Sequence, residues 1–220
     1  LRHSTRSTVM AQEISVAFAS SDDIPSLHNF FMKDFFETSN LNAPIGLRRE
    51  DAEEAYMDLV KDCVASGTSL IIRNEVGKVI AMRLSTFAHR SAPESVISYQ
   101  TRIQLIFDLL AVLTENKWDL IPKDVDKVLY VEILSVSVEY RGRGLAKILT
   151  SVGLEEAKAM GATGIMAEST SIASQTLFSK LGYDILRELS HSEFVGENGK
   201  PIFSPLSDNA TTARFVFKKL

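Results

Sequence analysis

Two arginines and two glycines alternate at Arg141-Gly142-Arg143-Gly144, and Leu145-Ala146 follow. An apolar, β-branched run over 128–138 leads into them, and Leu145, Ile148, Leu149 and Val152 continue at helical spacing. A strand end, a glycine turn and a helix start therefore succeed one another without a linker. The first N–H groups of a helix have no partner within it, and the helix dipole is positive there. Glycine brings the backbone close to a ligand because no Cβ intervenes. The chemistry that suits this spacing is the holding of an anion, with Arg141 or Arg143 near a phosphate. An arginine–glycine turn alone is a common surface feature, so its placement between strand and helix carries the reading. The three-glycine dinucleotide fingerprint and the glycine–lysine–hydroxyl phosphate loop are both missing, which leaves a backbone cradle for a diphosphate as the expectation.

A second chemical group lies upstream on the same strand. Glu132 sits in apolar surroundings, and simple alternation places it on one face with Tyr130 and Leu134. A carboxylate there needs a partner or a wet cleft. The one cysteine, Cys63, falls in a helical stretch and reads as a small packed residue rather than a nucleophile. His28 reads as a surface or boundary residue, and His89 and His191, in or near loops, take no role.

The elements that must position these residues follow from the pattern. Residues 13–19 alternate weakly as a first strand. Ser20 to Asp23 offer helix caps, Pro25 falls in the first turn, and Ile24, Leu27, Phe31 and Phe35 mark an amphipathic helix to about Thr38. A loop, 39–47, leads to an acidic helix over 48–66. Two short strands, 69–73 and 78–85, flank an Asn74-Glu75-Val76-Gly77 hairpin. A loop over 86–93, a third helix over 96–115 and a connection over 118–127 precede the strand 128–138. A helix over 144–160 closed by Gly161, a strand 163–167, a helix 171–181 closed by Gly182, and strands 183–193 and 212–218 complete the chain. The loop 195–211 is polar enough to be expected mobile. The order βααββαβαβαββ is that of an α/β chain with one mixed sheet.

At 220 residues, 45% apolar and 24% charged, the chain can bury a core without disulfides or metal. A net charge of −4 argues against nucleic acid as main partner and mildly suits cationic substrates. A lone cysteine forms no internal disulfide and fits a reducing, cytoplasmic setting. No apolar run is long enough to span a membrane. Residues 1–12 are set aside as a tail or remnant, leaving one domain over 13–220.

The turn Arg141 to Ala146 matches the R/Q-x-x-G-x-G/A signature of the GNAT superfamily of acyl-CoA N-acyltransferases. The chain resembles that superfamily over nearly its whole length, including Leu134-Ser135-Val136 ahead of the turn and the Lys180-Leu181-Gly182-Tyr183 helix ending. The run ILSVSVEYRGRGLA, Ser174 ahead of Tyr183, the Phe30-Phe31-Met32-Lys33-Asp34 helix and the SNLNAPIGL loop are similar to the invertebrate arylalkylamine N-acetyltransferase branch of insects and nematodes.

The resemblance implies a single mixed, mostly antiparallel sheet, splayed at a central parallel pair and flanked by helices. It implies acetyl-CoA as cosubstrate and no metal. Backbone groups of Leu134 and Val136, on either side of Ser135, would pair with the pantetheine amides. The N–H groups of Gly142, Arg143, Gly144, Leu145 and Ala146 would hold the pyrophosphate beside Arg141. The implied reaction is acetylation of a small primary amine in a ternary complex, with an arylalkylamine as the leading class. A base takes a proton from the amine, a backbone N–H stabilises the oxyanion, and an acid protonates the thiolate. The branch carries its base in an E-P-L-N motif. Here Ser39-Asn40-Leu41-Asn42 stands on that motif, with Ser39 in the glutamate's place, so Glu37 and Glu132 are the two candidates. Many relatives carry a tyrosine acid where this chain has Phe178, and Thr170 and Ser174 fall on the branch's serines. Alternatives are a polyamine, another small amine or a protein amine as acceptor, or a CoA-binding protein of this fold with little turnover. The expected assembly is a monomer or homodimer, without nucleic acid or membrane partners.

Overall fold

The computed structural model describes residues 14–92 and 98–220. The expected tail, the first residue of the first strand and the expected start of the third helix lie outside them. Among the described residues one sheet runs in the order β1-β2-β3-β4-β5-β7-β6. Its strands are β1 Ser15–Phe18, β2 Leu70–Arg73, β3 Val79–His89, β4 Lys127–Val136, β5 Gly164–Ser169, β6 Asp184–Ser190 and β7 Thr212–Lys219. Every neighbouring pair is antiparallel except β4 and β5, which are parallel. The sheet is thus the mixed, mostly antiparallel one that the family resemblance implies.

Side-chain alternation divides the core between the two faces. Ile71, Met82, Leu84, Val128, Met166, Phe215 and Phe217 point to one side. There they meet α1 Ile24–Phe30, α2 Phe36–Thr38, α3 Arg49–Ala65, α4 Gln104–Thr114 and α5 Lys117–Leu120. Leu70, Ile72, Ile80, Leu129, Val131, Ile165, Ala167 and Val216 point to the other. That side is covered by α6 Leu145–Ser151, α7 Leu154–Ala159 and α8 Ile172–Lys180. Between α1 and α2 the helix widens through a π turn, Phe31–Phe35, a form frequent at functional sites.

Two irregularities open the sheet. Leu84 lies opposite Ile133 but Ser85 lies opposite Val131, so Glu132 is an extra residue in β4. Parallel pairing with β5 ends at Val131 and Ala167, although β5 continues along β7 to Ser169. A gap therefore opens between the second half of β4 and the end of β5. The bulge also changes the phase of alternation. Leu134 packs with Leu145 and Leu149, on the α6 side, and not on the face of Tyr130 and Glu132 as simple alternation implies.

Several element ends differ from the sequence reading. β4 stops at Val136 and is followed by a 3-10 turn, Val138–Tyr140. β3 runs on to His89, through the expected loop, because pairing with β4 extends to Lys127. The third helix, in its described part, begins only at Gln104. The helix expected over 144–160 is split, because Val152 is extended and Gly153 adopts φ +78°. The break is capped by Arg83, which is fully buried and has no acidic partner among its bonds. Its Nη atoms donate to the carbonyls of Leu149 (2.8 Å), Val152 (3.1 Å) and Thr68 (2.9 Å). Burial lowers its pKa to about 10, so it stays charged at neutral pH beside the negative end of α6. The loop 195–211 is held rather than free, since Phe203, Leu206 and Ala210 are buried in the core beneath α1 and α3. No described helix is long and apolar enough to cross a membrane.

Candidate active site

A cavity of about 480 Å³ occupies the gap in the sheet. One wall is the free half of β4, with Leu134, Ser135 and Val136, continued by Arg141, Gly142, Gly144, Leu145 and Ala146 of the turn. Thr170, Ser174 and Leu177 face it from the end of β5 and from α8. Phe35, Thr38, Ser39 and Asn40 come from the end of the first helix, and Ser207 and Asp208 from the loop before β7. The structure thus brings together every residue expected at the cofactor except Arg143, and both expected hydroxyls. Glu37 and Glu132 are not part of this lining.

The turn is shaped by its glycines. Gly142 and Gly144 have φ of +76° and +79°, a region costly for any residue with a Cβ. A Cβ placed on either would meet no atom within 4 Å, so the backbone there faces open space. Gly144 caps the start of α6, whose first N–H groups have no partner within the helix. The two arginines brace the turn. Arg141 donates from Nε to the Val136 carbonyl at 3.1 Å and from Nη2 to Thr38 Oγ1 at 3.0 Å. Arg143 donates to the Glu139 carbonyl and lies over the Tyr140 ring.

The two candidate bases sit in different settings. Glu37 is exposed and ion-paired with Arg49 at 3.1 Å. Glu132 is the bulged residue, half-buried, and accepts a hydrogen bond from Thr86 Oγ1 at 2.7 Å. Burial pushes its pKa up to about 7; the Thr86 bond and the charge of Lys117 oppose the rise, and Asp62 adds to it. Sequence reasoning missed its neighbour. Glu168 follows Ala167, where the parallel pairing ends, near enough to Glu132 to feel its charge, and Tyr130 donates a hydrogen bond to Glu168. Burial, and then repulsion from Glu132, raise the Glu168 carboxyl to about 8.

Ser174 is the third residue of α8 and forms a capping box with Ser171. Its N–H donates to Ser171 Oγ at 3.2 Å, and its own hydroxyl donates to the Ser171 carbonyl at 3.0 Å. Phe178 is buried against Tyr183, away from the cavity. The Thr170 carbonyl accepts from Asn40 Nδ2 at 2.8 Å. Asp208 accepts from Asn40 Nδ2 at 3.0 Å and from the Ile172 N–H at 2.9 Å. No local signal marks Asp208, which is 168 residues from Asn40 in sequence. Cys63 is buried, and burial pushes its thiol up, as a packed residue requires. Among the described residues no group of three or more His, Cys, Asp or Glu could hold a metal ion.

No curated protein sequence matches the chain. Among solved structures, arylalkylamine N-acetyltransferase 2 of Aedes aegypti superposes with a TM-score of 0.80 at 23% identity, over 94% of this chain and 99% of that one. A polyamine N-acetyltransferase of Drosophila melanogaster, described as forming N-acetylagmatine, superposes with a TM-score of 0.74 at 18% identity, over 94% and 100%. At such identities the likeness is one of fold. The family model described as "Acetyltransferase (GNAT) family" matches residues 24–183, most of the chain, and it covers the bulged strand, the glycine turn and α8. The chain therefore belongs to the acetyltransferase (GNAT) family and is an N-acetyltransferase of α/β fold.

Proposed function

We propose that this protein transfers the acetyl group of acetyl-CoA directly to a small primary amine, with arylalkylamines as the acceptor class. The observation that carries this is the continuity of one cavity from the glycine turn, along the half of β4 that β5 leaves unpaired, to Ser174. The N–H groups of the turn suit the pyrophosphate. The pantetheine arm would run along the backbone of Leu134 and Val136, where β5 no longer pairs with β4.

Glu132 is the base. It stands at the bulge beside the gap, and a value of about 7 matches proton removal near neutral pH. Glu37 is the weaker candidate, since it is exposed and paired with Arg49. Ser174, with Thr170 close by in the same wall, is the donor to the leaving thiolate. The aromatic cluster of Phe31, Phe35 and Tyr56, with Phe35 in the cavity wall, favours an acceptor with an aromatic ring. A polyamine acceptor is the second reading, supported by the likeness to the Drosophila enzyme.

The test is thiol release from acetyl-CoA with a panel of arylalkylamines and diamines. Turnover is expected with at least one amine, and Glu132→Gln should lower kcat/KM by about a hundredfold or more. Glu37→Gln should stay close to wild type. CoA binding with no turnover across the panel would sink the transferase reading. Activity that survives Glu132→Gln and is lost in Glu37→Gln would move the base to the end of α2.

A further inference from the structure

Ser39 and Asn40 form part of the cavity wall and supply no carboxylate of their own. One reaches this wall from the far end of the chain. Asp208 is the only aspartate or glutamate among the described residues that line the cavity.

Its carboxylate is held by three donors. Oδ1 accepts from Asn40 Nδ2 at 3.0 Å and from the Ala210 N–H at 3.2 Å, and Oδ2 accepts from the Ile172 N–H at 2.9 Å. Asn40 is buried and is fixed in turn by its bond to the Thr170 carbonyl. Phe203, Leu206 and Ala210 anchor the loop that carries Asp208. All three donors are neutral, and no lysine or arginine pairs with Asp208 among the described residues.

A carboxylate offers about four lone-pair sites, and with the N–H of Asp208 itself also close by, at most one is left for a ligand. Burial alone would raise this carboxyl; the bonds from Asn40, Ile172, Ala210 and its own N–H outweigh it and hold the group below its usual range. It is therefore ionised at neutral pH and too weak a base to deprotonate an ammonium ion. His191 feels this charge, but burial lowers its imidazole pKa and disfavours the charged form. A fixed negative charge bonded only to neutral donors, in the wall of a partly closed cavity, is a recognition element for a cation.

We propose that Asp208 is the anchor that receives the positively charged head of the acceptor amine, at the wall formed by Ser39, Asn40 and Thr170. The identity of the ligand as a primary ammonium ion rests on the acetyltransferase reading. The labour is then divided between two groups: Asp208 binds the amine as its cation, and Glu132 takes the proton.

Calorimetric titration of phenethylamine and of 1,4-diaminobutane, with and without CoA, tests this without any need for turnover. Asp208→Asn should bind phenethylamine about ten- to a hundredfold more weakly, the loss expected for a charge-assisted hydrogen bond. Its affinity for CoA should remain close to wild type, and Asp208→Glu should recover part of the amine affinity. Wild-type protein should prefer phenethylamine to phenethyl alcohol, a comparison that stands even if Asp208→Asn does not fold. Equal binding of amine and alcohol, amine affinity unchanged in Asp208→Asn, or no amine binding by wild type would each overturn the proposal. Parallel loss of CoA and amine in Asp208→Asn would overturn it too, by making Asp208 a brace of the wall. Failure of thiol release alone would count against the transferase reading and not against the anchor.

Discussion

Replacing Thr86 by valine removes one hydroxyl and should move the pH dependence of catalysis. Thr86 lies on β3 directly opposite Tyr130, and its Oγ1 donates to Glu132 at 2.7 Å. The bond favours the ionised carboxylate and so opposes the burial that raises Glu132 to about 7. A hydrogen bond to a charged group is worth about 1.5–3 kcal/mol, and one pKa unit corresponds to about 1.4 kcal/mol. The lower end of that range sets the expected rise at about one unit. The acid limb of the kcat/KM profile should then shift from about pH 7 to about pH 8. At pH 7 the ionised fraction drops from about a half to about a tenth, so activity should fall about fivefold. At pH 9 the variant should be close to wild type. Thiol release measured from pH 5.5 to 9.5 at low amine concentration reads both limbs. An acid limb that does not move would mean that Glu132 is not the base. A uniform loss at every pH would mean that Thr86 supports the strand and does not tune the carboxylate.

Two further consequences concern the strands around the gap. A Cβ at Gly164 would lie 2.4 Å from Phe217 Cε2 and 3.2 Å from Val128 Cγ1, so Gly164→Ala should destabilise the fold by about 1–3 kcal/mol, seen as a lower midpoint in urea. The Glu168 carboxyl, at about 8, keeps its proton in the folded state at pH values where the unfolded chain has released it. Its contribution to stability is whole below about pH 4.5 and is lost as pH rises through about 8. Glu168→Gln cannot ionise, so its melting temperature relative to wild type should improve between pH 6 and pH 9; a constant difference would contradict the raised value.

Much of the fold was legible because its signals are local. The β-branched run before Arg141, the glycines of the turn and the helical spacing after it are read within twenty or so residues. What stayed hidden depends on register between distant strands. The bulge at Glu132 is visible only once β3 lies against β4, and it reverses the face assigned to Leu134. The pairing of Tyr130 with Glu168 requires the parallel alignment of β4 with β5. Gly153 was a signal that could have been used, since a glycine within a helical pattern, here at φ +78°, ends α6 where the buried Arg83 caps it. The loop 195–211 looked free because its composition is polar, yet three apolar residues, Phe203, Leu206 and Ala210, are enough to fix it and bring Asp208 to the cavity.

Every role proposed for the site depends on where acetyl-CoA sits, and a crystal structure of the complex measures that directly. The pyrophosphate should lie within hydrogen-bond distance of the N–H groups between Gly142 and Ala146. The thioester should lie in the gap beyond Val131, with the pantetheine arm along Leu134 and Val136. A cofactor bound elsewhere, or a gap closed by continued pairing of β4 with β5, would contradict those roles.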